Sequence, residues 1–314
     1  MKLLVTRPMT ARATKAIADK FDAEFHENRP LTVEEAAQAM RDYDAIIPTL
    51  GDGFSAAAFA GDLRCRFLAN FGAGYNHIDI AAATKAGIKV TNTPDVVTDA
   101  TADIAVTLIL MTMRRATEGE AMLRAGEWTG WHPTQLLGGH VTGATVGIIG
   151  MGRIGKAIAR RCHFGFGMKV IFFNRSPVTG LDFPAEQIAD LHDMLRAADV
   201  AVVAVPGGST RHLIGAAELR ALGPDGYLVN IARGDVVAED ALIAALNGGM
   251  IAGAGLDVYE REPIVPQALM DAPNASLLPH LGTATDDVRT DMGMCALDNL
   301  IAMSEGRAPH DPVN

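Results

Sequence analysis

The sequence predicts an α/β protein built from two doubly wound parallel-sheet domains, and three observations predict it. Short apolar runs alternate with helical patterns from end to end, the mark of repeated strand–helix–strand units. Five candidate strands precede a long helical stretch and six follow it, so the strands fall into two series. The length of 314 residues allows two domains at ~150 residues each.

The first series comprises Lys2–Thr6, Ala23–His26, Ala45–Pro48, Arg66–Asn70 and Lys89–Asn92. Between these runs, Thr10–Lys20 reads as a helix opened by Thr10. Thr32–Arg41 reads as a second helix, with Thr32 and Glu35 at capping-box spacing. The second series comprises Thr145–Gly150, Lys169–Asn174, Val200–Val205, Tyr227–Ile231, Ile251–Leu256 and Ser276–Pro279. These runs are apolar on both faces, as strands covered by helices on both sides must be. Thr98–Arg124, rich in Ala, Leu, Met and Ile, reads as one long helix between the series, and Thr285–Glu305 as the helix after the last strand. Trp128–Gly143 is a long irregular connection, and Gly306–Asn314 reads as a tail lying against the first domain.

Composition excludes several classes. Hydrophobic residues at 49% and charged residues at 20% describe a globular chain rather than a disordered one. A net charge of −10 argues against nucleic acid and anionic membranes as partners, since both need a basic face. Cys65, Cys162 and Cys295 show no close pairing, so neither a disulfide framework nor a zinc knuckle is indicated, and no metal site is expected. No run approaches the ~20 apolar residues that span a bilayer. Leu3-Leu4-Val5 before Arg7-Pro8 is too short for a signal-peptide core, so a cytoplasmic location is expected.

The sharpest motif is Gly150-Met151-Gly152-Arg153-Ile154-Gly155, a G-x-G-x-x-G between an apolar run and a helical pattern. Its first glycine permits the tight turn, its second admits a pyrophosphate to the backbone, and its third allows close helix–strand packing. In NAD-binding units the next strand ends in an acidic residue that accepts from the ribose hydroxyls. Here it ends Asn174-Arg175-Ser176, with no carboxylate to repel a 2′-phosphate and an arginine able to pair with one. The reading is NADP(H) preferred, with NAD(H) accommodated.

Arg233 follows the fourth strand of the second series, Glu262 the fifth and His280 the sixth. The carboxyl ends of parallel strands are where α/β sheets bind ligands. A guanidinium there suits a carboxylate bidentately, and a carboxylate beside an imidazole favours the imidazolium, a proton donor to a carbonyl oxygen. In the first series, Phe71-Gly72-Ala73-Gly74-Tyr75-Asn76 follows a strand, and its backbone N–H groups suit an anion nest.

Together these stretches resemble the D-isomer-specific 2-hydroxyacid dehydrogenase family over essentially the whole chain. The matching residues are Phe71–Asn76 with Ile78-Asp79, Asn92-Thr93-Pro94, Val146–Gly155, Val229–Gly234, Gly255–Asp257 with Glu262-Pro263, and Pro279–Gly282. Asn92–Asp103 is most similar to the glyoxylate/hydroxypyruvate reductase branch. The resemblance implies a Rossmann cofactor domain, residues 98–285, inserted into a flavodoxin-like substrate domain, residues 1–97 and 286–314. It implies that Arg233 holds the substrate carboxylate and carbonyl, that His280 is the acid/base and that Glu262 tunes it. Leu50, Ala73 and Gly74 would join Arg233 at the substrate. Thr101, Gly150, Gly152, Arg153, Ile154, Gly155, Asn174, Arg175, Ser176, Val205, Pro206, Ile231, Asp257, His280 and Gly282 would touch the cofactor. A homodimer is implied, with Trp128 and Trp131 near the second subunit. The expected activity is NADPH-dependent reduction of glyoxylate or hydroxypyruvate. Phosphoglycerate dehydrogenase or another D-2-hydroxyacid dehydrogenase stays open as an alternative, although the Pro48–Asp52 loop offers no cation for a phosphate. A nucleotide-sensing corepressor on the same fold also stays open.

Overall fold

A computed structural model describes residues 1–208 and 210–314. The chain divides into two compact units, Met1–Val97 with Thr283–Asn314, and Thr98–Gly282. The return to the first unit comes at Thr283, ahead of the 286 expected from sequence. The turn that ends the second unit is tied back into it, because the Leu281 and Gly282 amides donate to Asp257.

The first unit contains β1 (Lys2–Val5), α1 (Ala11–Ala18), β2 (Asp22–Phe25), α2 (Val33–Asp42), β3 (Ala45–Ile47), β4 (Phe67–Ala69), α3 (Ile80–Lys85) and β5 (Lys89–Thr91). Its strands form a parallel sheet in the order β2-β1-β3-β4-β5. Alternate residues of β1 serve opposite faces. Leu3 and Val5 pack with Ile17, Ile47, Leu297 and Leu300, while Leu4 joins Met40, Ile46, Phe54 and Leu68. The capping box that opens α2 forms as the sequence predicts, with reciprocal bonds between Thr32 and Glu35. Thr10, read as the opener of α1, makes no capping bond; its hydroxyl instead meets Thr290 at 2.7 Å.

The second unit contains α4 (Thr98–Met113), α5 (Ala116–Arg124), β6 (Thr145–Ile149), α6 (Arg153–Phe166), β7 (Lys169–Phe173), β8 (Glu186–Gln187), α7 (Leu191–Ala197), β9 (Val200–Val203), α8 (Ala216–Leu222), β10 (Tyr227–Asn230), α9 (Glu239–Asn247), β11 (Gly253–Leu256), α10 (Gln267–Met270) and β12 (Ala275–Leu277). Its sheet is parallel throughout, in the order β12-β11-β10-β9-β6-β7-β8. The strand order reverses at β6, so the crevice for a ligand opens at the carboxyl end of β6. Ile149, Val203, Leu228 and Leu256 build the core on one face, and Ile148, Val202, Val229 and Ile158 on the other.

Two further readings needed correction. The single helix expected over Thr98–Arg124 is two, α4 and α5, because Arg115 takes φ 52° and turns the chain. Its guanidinium then holds Glu118 through both carboxylate oxygens. The short edge strand β8 has no apolar run to announce it.

The last helix of the chain, α11 (Asp286–Ser304), returns to the first unit and packs on α1 and β4. The tail beyond it lies against that unit's sheet as expected, with Pro312 bridged to Thr91 and Val313 N–H donating to Val90. Asn299, fully buried, holds it there: its Oδ1 accepts from His310 and Asp311, and its Nδ2 donates to Asp311 Oδ2. Asn299→Ala strands these partners without compensation. The expected loss is ~1–3 kcal/mol of stability, the cost of buried polar groups left unpaired, measured by urea unfolding against wild type. No change would mean that water replaces the amide.

Candidate active site

The seven parallel strands of the second unit end at the same edge of one sheet, and the loops beyond six of them carry the candidate residues. After β6 comes the glycine loop. Gly150 takes φ +100°, and a side chain on it would collide with the Ala204 carbonyl and with Val205. Gly155 lies so close to the Gly150 carbonyl that a Cβ would overlap it. At Gly152, by contrast, a Cβ would meet nothing within 4 Å, and no side chain caps α6 behind it. An uncapped helix N-terminus beside an open glycine is a fit for a pyrophosphate, which supplies the missing acceptors. Ile154 is half-buried at this turn and Arg153 exposed.

After β7, Asn174 faces the glycine loop. Its Oδ1 accepts from the Met151 amide at 3.3 Å, and its Nδ2 donates to the Ser176 carbonyl at 2.8 Å. Arg175 and Ser176 are exposed, and Arg175 has no hydrogen-bond or ion-pair partner among the described residues. After β9, Val205 is half-buried and Pro206 exposed. Ser209, which follows Pro206-Gly207-Gly208 in the sequence, lies outside the described residues.

After β10, Ile231 is buried and Arg233 opens a short turn of 3-10 helix, Gly234–Val236. Asn230, at the strand end, sets this corner by accepting from Ala232 and donating to the Arg233 carbonyl. The Arg233 guanidinium donates one bond, to the Ala232 carbonyl at 2.7 Å, while its buried Nε has no partner. Burial lowers its pKa against the opposing charges of Glu262 and Asp235. A desolvated cation with an unused donor is a receptor for an anion.

After β11, Asp257 is buried, and its two carboxylate oxygens accept from Leu281 at 2.6 Å and Gly282 at 2.8 Å. Burial raises its pKa against these two amides and the charge of His280. Thr101 of α4, also buried, lies beside Gly282 and Asp257. Glu262 and His280, from the last two loops, meet directly: His280 Nδ1 lies 2.8 Å from Glu262 Oε2. The Tyr259 amide donates to the other carboxylate oxygen, and the Tyr259 hydroxyl donates to the Leu278 carbonyl, two residues before His280. One tyrosine thus braces both members of the pair. Burial pushes Glu262 up, but the His280 bond, the Tyr259 amide and the charge of Arg233 leave it below the usual carboxylate range. His280 itself takes φ 54°, a left-handed conformation that its tied neighbours enforce.

In the first unit, Leu50 is half-buried in the loop after β3, and Phe71 is bridged to Thr49. Asn70 Nδ2 donates to the Gly72 and Gly74 carbonyls, and Asn92 Nδ2 to that of Ala73. With three successive carbonyls tied back, the Ala73 and Gly74 amides have no acceptor among the described residues. The Pro48–Asp52 loop does have a cation beside it. Arg7, from the turn after β1, comes within 3.9 Å of buried Asp52. Sequence reasoning missed Asn70, Asn230, Tyr259 and Arg7 in these roles. A polar residue at a strand end is the one signal that Asn70 and Asn230 offer.

Comparison with known proteins agrees with this geometry. Residues 106–282 match the model of the D-isomer specific 2-hydroxyacid dehydrogenase NAD-binding domain. The glyoxylate reductase of Thermococcus gammatolerans is 42% identical over 321 aligned residues, covering 100% of this chain and 96% of that one. Among solved structures, the TT0316 protein of Thermus thermophilus superposes with a TM-score of 0.92 at 37% identity, covering 100% of both chains. The NADPH-dependent glyoxylate/hydroxypyruvate reductase of Sinorhizobium meliloti, in complex with NADP and malonate, gives 0.88 at 39% identity over 99% of this chain and 96% of that one. With the Rossmann loop, the open helix terminus and the Arg–Glu–His cluster on one sheet edge, the chain belongs to the D-isomer-specific 2-hydroxyacid dehydrogenase family and is an NAD(P)-dependent dehydrogenase.

Proposed function

We propose that this protein reduces a small 2-oxo acid, glyoxylate or hydroxypyruvate, to the 2-hydroxy acid, using NADPH in preference to NADH. The observation that carries the reading is the His280–Glu262 pair at 2.8 Å, neighboured by an Arg233 with an unused buried donor. Relatives named glyoxylate reductase or glyoxylate/hydroxypyruvate reductase support the substrate class.

A bound nicotinamide cofactor supplies the hydride. The glycine loop and the N-terminus of α6 would hold its pyrophosphate, with Thr101, Val205, Pro206, Ile231, Asp257 and Gly282 around it. Arg233 takes the substrate carboxylate and, as a desolvated cation, stabilises negative charge growing on the carbonyl oxygen. In the first unit, the Ala73 and Gly74 amides have no acceptor among the described residues and suit a carboxylate. His280 donates Nδ1–H to Glu262, which leaves Nε2 to hand its proton to the carbonyl oxygen. Glu262, held below the ordinary carboxylate range, stays ionised near neutral pH and accepts from His280 Nδ1.

The cofactor preference rests on Asn174 standing where a carboxylate would repel a 2′-phosphate, and on an exposed Arg175 with no hydrogen-bond or ion-pair partner among the described residues. A homodimer belongs to the same proposal: Trp131 is 79% exposed and Trp128 51%, in a segment with no regular structure. Arg7 favours a second reading, a 2-oxo acid carrying a distal anionic group such as a phosphate.

The direct test is initial-rate oxidation of NADPH and NADH with glyoxylate, hydroxypyruvate, pyruvate and 3-phosphohydroxypyruvate. Fast turnover of the first two with NADPH is expected. A preference for 3-phosphohydroxypyruvate that Arg7→Ala abolishes would favour the second reading, and a clear preference for NADH would refute the cofactor assignment. His280→Ala should lower kcat by ~10²–10⁴-fold, the scale of general acid catalysis. A loss under tenfold would remove His280 from the proton step. Reduction needs the imidazolium, so its rate falls as pH rises through the imidazole titration. Glu262→Gln removes the charged acceptor that orients the His280 ring and should lower kcat, with partial recovery in Glu262→Asp. An unchanged kcat would leave Glu262 without a positioning role.

A further inference from the structure

We infer that Gln187 is a positioning residue that sets the preference for a 2′-phosphorylated dinucleotide, by holding the loop that carries Arg175 in one shape. The inference rests on the cofactor reading above and deepens it. Gln187 lies in β8, paired in register with Phe172 of β7, so its side chain reaches the loop that leaves β7. That one amide makes three hydrogen bonds to the loop backbone. Its Nε2 donates to the Asn174 carbonyl and the Ser176 carbonyl, each at 3.1 Å, and its Oε1 accepts from the Val178 amide at 3.0 Å. The bonded residues, 174, 176 and 178, alternate along the chain and bracket Arg175 on both sides. Asn174 adds a fourth tie, to Ser176, and fastens the loop to the glycine turn through Met151.

Arg175 itself makes no hydrogen bond or ion pair among the described residues and is exposed. A free arginine on a mobile loop must lose both backbone and side-chain freedom when it closes on a phosphate. On a loop already fixed, only the side chain must be ordered. The cross-braces of Gln187 therefore act on the affinity for the phosphate-bearing dinucleotide and leave the rest of the cofactor's contacts alone. A two-residue edge strand supplies little sheet of its own. Its presence beside β7 is explained by this brace.

The test is equilibrium binding of NADP⁺ and NAD⁺ by calorimetry, without turnover, on wild type, Gln187→Met, Arg175→Ala and the double variant. Gln187→Met keeps the side-chain length and removes all three bonds. NADP⁺ should weaken about tenfold while NAD⁺ changes less than about twofold, the pattern expected when pre-organisation for one group is lost. In the Arg175→Ala background the same substitution should not alter the NADP⁺:NAD⁺ ratio further, because the two residues act through one contact. If thermal unfolding shows that Gln187→Met does not fold, Gln187→Glu decides: it keeps the acceptor for Val178 and removes both donations, and the ratio should fall in the same direction. A wild type that prefers NADP⁺ with a ratio unmoved by substitution at 187 overturns this inference alone. A wild type that binds NAD⁺ more tightly overturns the cofactor reading and this inference with it.

Discussion

The candidate site depends on one hydrogen bond held at the end of a strained turn, that of His280 to Glu262. A non-glycine residue in the left-handed region costs ~1–3 kcal/mol, and it persists only where its surroundings over-determine it. Here they do. The His280 amide donates to the Asp257 carbonyl, and the next two amides donate to the Asp257 carboxylate. Tyr259 reaches from the Glu262 loop to the strand end that precedes the turn. Asp257 cannot be charged in so buried a place without such donors, and the turn cannot keep its shape without such an acceptor. Each requirement satisfies the other.

The same economy runs along the sheet edge. Parallel strands deliver their loops to one side, and a side chain at or near a strand end fixes three of them. Asn230 fixes the Arg233 corner, Asn174 the glycine turn, and Asp257 the His280 turn. In the first unit Asn70 and Asn92 do the equivalent work on the Gly72–Gly74 carbonyls. Among the groups these bonds leave over are the Arg233 Nε, the Ala73 and Gly74 amides and the open N-terminus of α6, all donors that suit anions; Asn70 Oδ1 is an acceptor that is also left without a partner among the described residues.

Much of this was legible in the sequence because it is local. Strand runs, the Thr32–Glu35 capping box and the spacing of Gly150, Gly152 and Gly155 each rest on residues within a few positions of one another. The positions of Arg233, Glu262 and His280 followed from the strand pattern, since each sits just beyond a strand end. Other features were hidden for a physical reason. The break at Arg115 interrupts a continuous apolar pattern through one backbone angle that no residue type demands. The Tyr259–Leu278 and Gln187–Asn174 bonds join residues 19 and 13 positions apart, and Arg7 meets Asp52 across two strands. A side-chain amide that braces a distant loop looks, in sequence, like any polar residue on a surface.

The central claim is that His280 exchanges the proton of the reaction. The most direct test is the pH dependence of kcat/KM measured in both directions on the same enzyme. Reduction requires the imidazolium and oxidation the neutral imidazole, so the account predicts opposite limbs, reduction falling and oxidation rising as pH increases through one common titration. Profiles of the same shape in both directions would contradict it.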